Sequence, residues 1–263
     1  MGFQYQLSLG FDGEACRHSF LMRCIPGDTL RQRVVSAQVM LSPDTPFVYG
    51  TDGFGNRTIE GTVQGTHDSF SVSVQGTVEV PSGEPEAPVP ESSEEGDEAM
   101  VYRYHTRRTE PGPAIESFLS SAPDCACDDL SRAVGLMHRL HSSFKYEKGV
   151  TGPESTAEEA MSIGRGVCQD YSQIMLSLLR CRGIPCRYVV GFTTGEGESH
   201  AWIEVLHDGT WYGLDPTGDT AVGPRHVKVS HGRDYDDCRI NRGVFFGAHA
   251  VTQQVHAEVY ELG

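Results

Sequence analysis

The sequence predicts an α+β fold preceded by an all-β sandwich module. Three observations carry this. Apolar and polar residues alternate at period two over residues 33–41 and 70–74, the spacing of half-buried strands. Helix-spaced apolar residues then dominate residues 113–182, and short strand-like runs follow them. Between the halves, residues 81–100 hold four prolines, seven carboxylates and no Lys or Arg.

Taken in order, residues 1–110 are expected to form the β module and residues 111–263 a second, catalytic-type domain. Thr51-Asp52-Gly53-Phe54-Gly55-Asn56 is a turn signal between two strand-like runs. The acidic stretch 81–100 has too little apolar surface to bury, so a linker or long mobile hairpin is expected there, largely disordered. Val101-Tyr102-Arg103-Tyr104 reads as a last strand of the first module. Pro113 to Ser121 reads as a short helix. Residues 128–144 place apolar side chains at 130, 133, 134, 137, 140 and 144, one helical face. Thr156-Ala157-Glu158-Glu159 opens another helix, with Ser155 or Thr156 as N-cap, and Gly164 and Gly166 stop it. The strongest helical pattern runs from Cys168 to Arg182, with Ile174, Leu178 and Cys181 along one face, and Gly183-Ile184-Pro185 ends it. Strands follow at about 186–193, 200–206 and 210–214, the last two joined by a His207-Asp208-Gly209-Thr210 hairpin turn. Further strands are expected near 227–230 and 253–260.

Composition narrows the function class. The formal charge is −15, but without the acidic stretch 29 acids and 21 bases leave about −8. A negative chain with no basic stripe argues against nucleic-acid binding. No apolar run approaches the roughly 20 residues that span a bilayer, so no membrane partner is expected. The start of the chain lacks a basic region followed by an apolar core, which does not read as a signal peptide, so a cytoplasmic location is expected. The eight cysteines are then read as reduced thiols rather than a disulfide framework.

Three segments carry chemistry. Gly166-Val167-Cys168-Gln169-Asp170 puts a cysteine where a glycine loop meets a helix start. Ser199-His200-Ala201-Trp202 puts a histidine on one strand, and Leu214-Asp215-Pro216-Thr217 an aspartate at the end of the next. The thiolate is the nucleophilic form of cysteine, and both a helix N-terminus and an adjacent imidazolium favour it. A histidine base needs its second nitrogen held, and the hairpin turn at 207–210 folds Asp215 back toward His200. Two positions along a helix turn about 200°, so Asp170 should point away from Cys168 and serve the helix start or a loop. Each residue alone has an ordinary structural reading; only the set points to acyl transfer. Cys125-Ala126-Cys127 with His138 and His141 lacks usual zinc spacing, and no metal or cofactor is expected.

These motifs resemble the transglutaminase-like superfamily, in particular its bacterial branch assigned to cysteine peptidases. Gly166-Val167-Cys168-Gln169-Asp170-Tyr171 resembles the nucleophile motif. Gly183-Ile184-Pro185-Cys186-Arg187-Tyr188-Val189 resembles the helix-to-strand segment that follows it. His200-Ala201-Trp202 and Asp215-Pro216-Thr217 resemble the base and carboxylate motifs, and Phe144-Lys145-Tyr146 with Thr151 the upstream segment. Residues 100–263 carry most of the likeness, including Gly232-Arg233-Asp234-Tyr235-Asp236-Asp237 and Asn241-Arg242-Gly243. The first module is similar to the β region attached in this branch. Gln173 departs from a histidine common there. The resemblance implies a papain-like α+β core and assigns catalysis to Cys168, His200 and Asp215.

It further implies a cysteine-dependent amide hydrolase or peptidase that acts through a thioester on a peptide or protein amide. Transfer of a protein glutamine to an amine, and a non-catalytic peptide-binding module, are the alternatives. The oxyanion is expected to meet the Cys168 N–H and a second donor. Ser162 stands where papain-like peptidases carry a glutamine, which leaves Tyr146 or Gln169 as candidates. Trp202 is a candidate substrate contact or simple packing.

Overall fold

The computed structural model describes residues 1–81, 83, 85–93, 96–121 and 128–262. Five strands come first: β1 (Gly2–Met22), β2 (Arg33–Ser42), β3 (Phe47–Thr51), β4 (Arg57–Val63) and β5 (His67–Glu79). Phe3, Tyr5, Leu7 and Leu9 alternate inward along β1 and meet Phe70, Val72, Val74 and Val78 of β5 in one core. The period-two pattern thus becomes a buried face. The turn at Asp52 forms as its sequence suggests: Asp52 Oδ1 accepts the N–H groups of Phe54 and Asn56, and Gly55 adopts φ +84°.

Residues 90–93 and 96–103 pack against the second half. β6 (Pro90–Ser93) pairs with a later strand, and a 3₁₀ helix covers Gly96–Arg103. Glu91 is buried with its carboxylate on Arg31, and Tyr102 sets its ring edge-on to Trp211 at 5.3 Å. So this part of the acidic stretch is neither a free hairpin nor a strand of the first module. A sheet edge and a half-buried arginine give it partners that composition does not reveal. Glu84, Glu94 and Glu95 lie outside the described residues.

The helical layer then forms. α1 (Pro113–Ser120) begins with proline at N1, where its missing N–H costs nothing. α2 (Asp129–Ser143) is capped by Asp128, whose side chain accepts Ser131 N–H. β7 (Lys145–Tyr146) precedes α3 (Ala157–Ile163), where Thr156 and Glu159 form a capping box. β8 (Arg165–Gly166) pairs with β7 in parallel, with Tyr146 opposite Gly166. α4 (Cys168–Arg180) follows and is nearly enclosed, with Ile174, Met175, Leu178 and Leu179 fully buried.

The central sheet comes from β9 (Cys186–Thr193), β11 (His200–His207), β12 (Thr210–Asp215), β13 (Thr220–Ala221) and β14 (His226–Gly232), in the order β13-β12-β11-β9-β14, with β6 on β12. A short β10 (Gly195–Gly197) sits between β9 and β11 in the chain. β9 is buried along nearly its whole length, Arg187 included, because both faces are covered. Tyr188 and Val190 pack in the helical core with α4, while Phe192 joins the core of the first module. The sheet therefore stands between a helical layer and the N-terminal sheet.

The chain ends by crossing back. After α5 (Tyr235–Cys238), β15 (Asn241–Phe246) and β16 (Ala250–Tyr260) both pair with β1, and β16 runs beside it from Gly2↔Tyr260 to Phe11↔Ala250. The N-terminal sheet is completed by β15 and β16, so its strands are not confined to residues 1–110. Sequence pattern marks β16 as a strand but cannot name its partner 250 residues away. Among the described residues, no helix is long and apolar enough to cross a membrane.

Candidate active site

The start of α4 is built around one carboxylate. Asp170 Oδ2 accepts the Val167 N–H at 2.7 Å and the Thr151 hydroxyl at 2.7 Å. Asp170 is 1% exposed, and burial raises its pKa against the hydrogen bonds that lower it. Asp170 thus holds the helix start and the 151 loop, turned from Cys168 as the helical angle requires. Gly166 makes room for it: a Cβ there would lie 2.3 Å from Asp170 Oδ2. Cys168 is half-buried at the first position of α4, where a backbone N–H has no intrahelical acceptor.

His200 faces this cysteine from β11. Its Nε2 bonds Asp215 Oδ2 at 2.8 Å, and Cys168 is close enough to help raise its pKa. Nε2 is committed to Asp215, so Nδ1 is the nitrogen that meets the sulfur. Burial by itself would lower the His200 pKa. The hydrogen bond to Asp215 and the nearby Cys168 outweigh it and raise the value to about 10. The imidazolium is therefore the resting form at neutral pH, paired with sulfur on one side and carboxylate on the other.

Asp215 is 5% exposed yet strongly acidic. Burial opposes its charge, but four donors surround it and hold its pKa far below the ordinary carboxylate value. Oδ1 accepts the N–H groups of Thr217 and Gly218, at 2.9 and 3.2 Å. Oδ2 accepts His200 and also His226 Nε2, at 3.2 Å. Sequence reasoning missed His226. It lies at the start of β14, separated from β12 in the sheet by β11 and β9, and no local pattern joins it to Asp215.

The remaining candidates sort by position. Tyr146 is 52% exposed. Burial first, then the nearby Cys168 and Glu198, raise its pKa, so its hydroxyl keeps its proton beside the sulfur. Gln169 points its amide at Pro153 O, 3.3 Å away. Trp202 is only 1% exposed and packs against His226 at 5.2 Å and His200 at 6.1 Å, a wall behind the histidines rather than a surface for substrate. Gln173 is fully buried with its amide on Ser155 O. Cys125 and Cys127 lie outside the described residues, and His138 bonds Asp219 at 2.6 Å.

Comparison with known proteins gives a consistent placement. Residues 120–216 match the family model of the Transglutaminase-like superfamily, a span that contains Cys168, His200 and Asp215. Residues 3–79 match that of the Bacterial transglutaminase-like N-terminal region. An uncharacterized protein of Mycobacterium leprae is 29% identical over 254 residues, covering 91% of each chain. A Protein-glutamine gamma-glutamyltransferase of Pseudomonas aeruginosa is 29% identical over 102 residues, 33% of this chain and 15% of that protein. Among solved structures, a Cytophaga hutchinsonii protein described as "a Putative Cysteine Protease" superposes with a TM-score of 0.74 at 19% identity, covering 100% of this chain and 92% of that one. That likeness concerns the fold.

Proposed function

For a chain that belongs to the transglutaminase-like superfamily, we propose a cysteine-dependent amide hydrolase acting on peptide or protein carboxamides. The observation that carries the reading is His200 held between Cys168 and Asp215. A nucleophile, an acid–base group and an orienting carboxylate then stand in bonding order.

The Cys168 thiolate attacks the carboxamide carbon, and the carbonyl oxygen takes the negative charge. The Cys168 N–H donates to that oxygen, and the Tyr146 hydroxyl is the second donor. His200 Nδ1–H protonates the leaving amine, the C–N bond breaks, and a thioester remains on Cys168. His200, now neutral, takes a proton from water as water attacks the thioester, which releases a carboxylic acid and the cysteine. Asp215 stays ionised throughout and keeps the imidazole turned with Nδ1 toward the sulfur.

A second reading replaces water with an amine. The 102-residue similarity to the Pseudomonas glutamyltransferase favours it, since both acceptors share the same thioester. One experiment separates these readings. In separate samples, the protein and its Cys168→Ala variant are either alkylated with iodoacetamide or, unalkylated, given peptide amides with and without a primary amine. Fast Cys168-dependent alkylation and free acid product support hydrolysis. Product bearing the amine replaces hydrolysis by transfer. Alkylation no faster than a free model thiol, with no turnover, leaves a peptide-binding module.

A further inference from the structure

We propose that His226 is a positioning residue of this site: it pins Asp215 Oδ2 and, through Asp215, holds the His200 ring aimed at Cys168. The proposal rests on the catalytic reading given above.

Hydrogen bonding fixes how His226 is used. Its Nδ1 accepts the Gly223 N–H at 3.2 Å, so that nitrogen carries no proton. The ring proton is then on Nε2, which donates to Asp215 Oδ2 at 3.2 Å. Asp215 thereby meets two backbone N–H groups on Oδ1 and two imidazoles on Oδ2. A carboxylate held at both oxygens cannot rotate without breaking several of these bonds, and its bond to His200 keeps one direction.

The surroundings hold His226 itself. Its side chain is 7% exposed, and the indole of Trp202 meets it edge-to-face at 78°. That contact needs Gly191 on β9. A Cβ at Gly191 would lie 2.3 Å from Trp202 Cη2 and 2.2 Å from Val227 O. The missing side chain lets the indole reach across β9 from the His200 strand to the His226 strand. The His226 backbone N–H also returns to Gly223 O at 3.0 Å, which closes the loop carrying its partner. Around His200 the titratable neighbours are thus Cys168 from α4, Asp215 from β12 and His226 from β14. The two imidazoles and the carboxylate offer atoms within 4.8 Å of one another. The Gly223 bond gives that cluster the pattern of a proton-bearing clamp.

The test uses the full chain with His226→Gln, which keeps an N–H donor, and His226→Phe, which does not. Folding is verified by circular dichroism. Two quantities are followed against pH: the imidazole nitrogens by proton–nitrogen NMR, and the rate of Cys168 alkylation by iodoacetamide. In the wild type His200 should titrate near 10. In His226→Phe its titration should move down and alkylation at neutral pH should slow by about ten- to hundredfold, the range for a lost hydrogen bond to a charged group. His226→Gln should restore most of both. If the Phe variant does not fold, His226→Asn, too short to reach Asp215, is read in its place. A folded Phe or Asn variant with wild-type titration and rate overturns the proposal. So does a His200 titration that moves up, which would mean that His226 only withdraws charge from Asp215. Absence of amide turnover in the wild type would sink the hydrolase reading, while the NMR titration would still decide the role of His226.

Discussion

His200 Nε2 and Asp215 Oδ2 lie 2.8 Å apart, and this bond joins two strands that are neighbours in the central sheet. It sets which imidazole nitrogen faces Cys168. It also raises the His200 pKa to about 10 in spite of burial.

The alkaline limit of the site follows from this. The imidazolium is the form that protonates a leaving amine, and it is present below about 10 and lost above it. In a pH profile of amide turnover, the alkaline limb should therefore fall near 10. Asp215→Ala removes the charge and the acceptor, so the limb should move down toward the ordinary histidine value. The rate at neutral pH should fall by about ten- to hundredfold, the loss of one charge-assisted hydrogen bond. An unmoved limb in Asp215→Ala would contradict the assignment.

The turn that positions Cys168 depends on Gly166. Gly166→Ala would drive a methyl group to 2.3 Å from Asp170 Oδ2 and displace the carboxylate from Val167 N–H and Thr151. Urea unfolding should show a loss of about 1–3 kcal/mol, the cost of leaving buried hydrogen-bonding groups unmet. Alkylation of Cys168 should slow in the same variant, because the first turn of α4 loses its anchor. Asp170→Ala should resemble it in both respects.

A buried charge cluster braces the sheet that carries His200. Glu204 is fully buried, takes Lys228 Nζ at 2.7 Å and Arg187 Nε at 2.5 Å, and its pKa is lowered because those cations outweigh burial. Glu204→Ala takes the shared carboxylate away from two buried cations, so unfolding should show a loss of about 3–5 kcal/mol. Breaking the exposed Arg33–Glu79 pair should change little by the same measurement.

Glu91, the acidic-stretch residue beside this cluster, should act in the opposite sense on pH. Burial first, and then the charge of Glu204, raise its pKa to about 7, against Arg31 and Lys228. The folded chain then binds a proton that the unfolded chain releases near the ordinary glutamate value of 4.5. Its contribution to stability should fall as pH rises from about 4.5 to about 7. Comparing urea midpoints of the wild type and Glu91→Gln across that interval checks the sign, since the difference between them should change there.

The N-terminal sheet should not survive loss of the chain's end. A chain stopped at Ile240 lacks β15 and β16 and bares the β1 edge from Gly2 to Met22. An exposed apolar edge of that length invites association. Size-exclusion chromatography should show aggregates, with the wild type as reference; a stable monomer with native circular dichroism would refute this.

Much of the site was readable from residue order. A cysteine after a glycine loop, a histidine before a two-residue hairpin turn and an aspartate before proline are local signals, and each local signal fixes one element. The hairpin at 207–210 even returns Asp215 toward His200, because adjacent antiparallel strands convert chain distance into contact. The helix cap at Thr156 was equally local and formed as its pattern implies.

What the sequence could not set are contacts between distant strands. Glu91 sits in a stretch whose composition suggests a solvated linker, yet Arg31 and the edge of β12 bury it. His226 reaches Asp215 across a sheet order that no periodicity encodes. The sequence alone determined most of the helices and strands and pointed to three candidate chemical roles, because capping, turn and strand signals act over a few residues. Only the tertiary structure decided the second histidine on Asp215, the buried bracing charges and the return of β16 to β1. Those depend on which edges and faces meet, and burial then changes the protonation of the groups enclosed there.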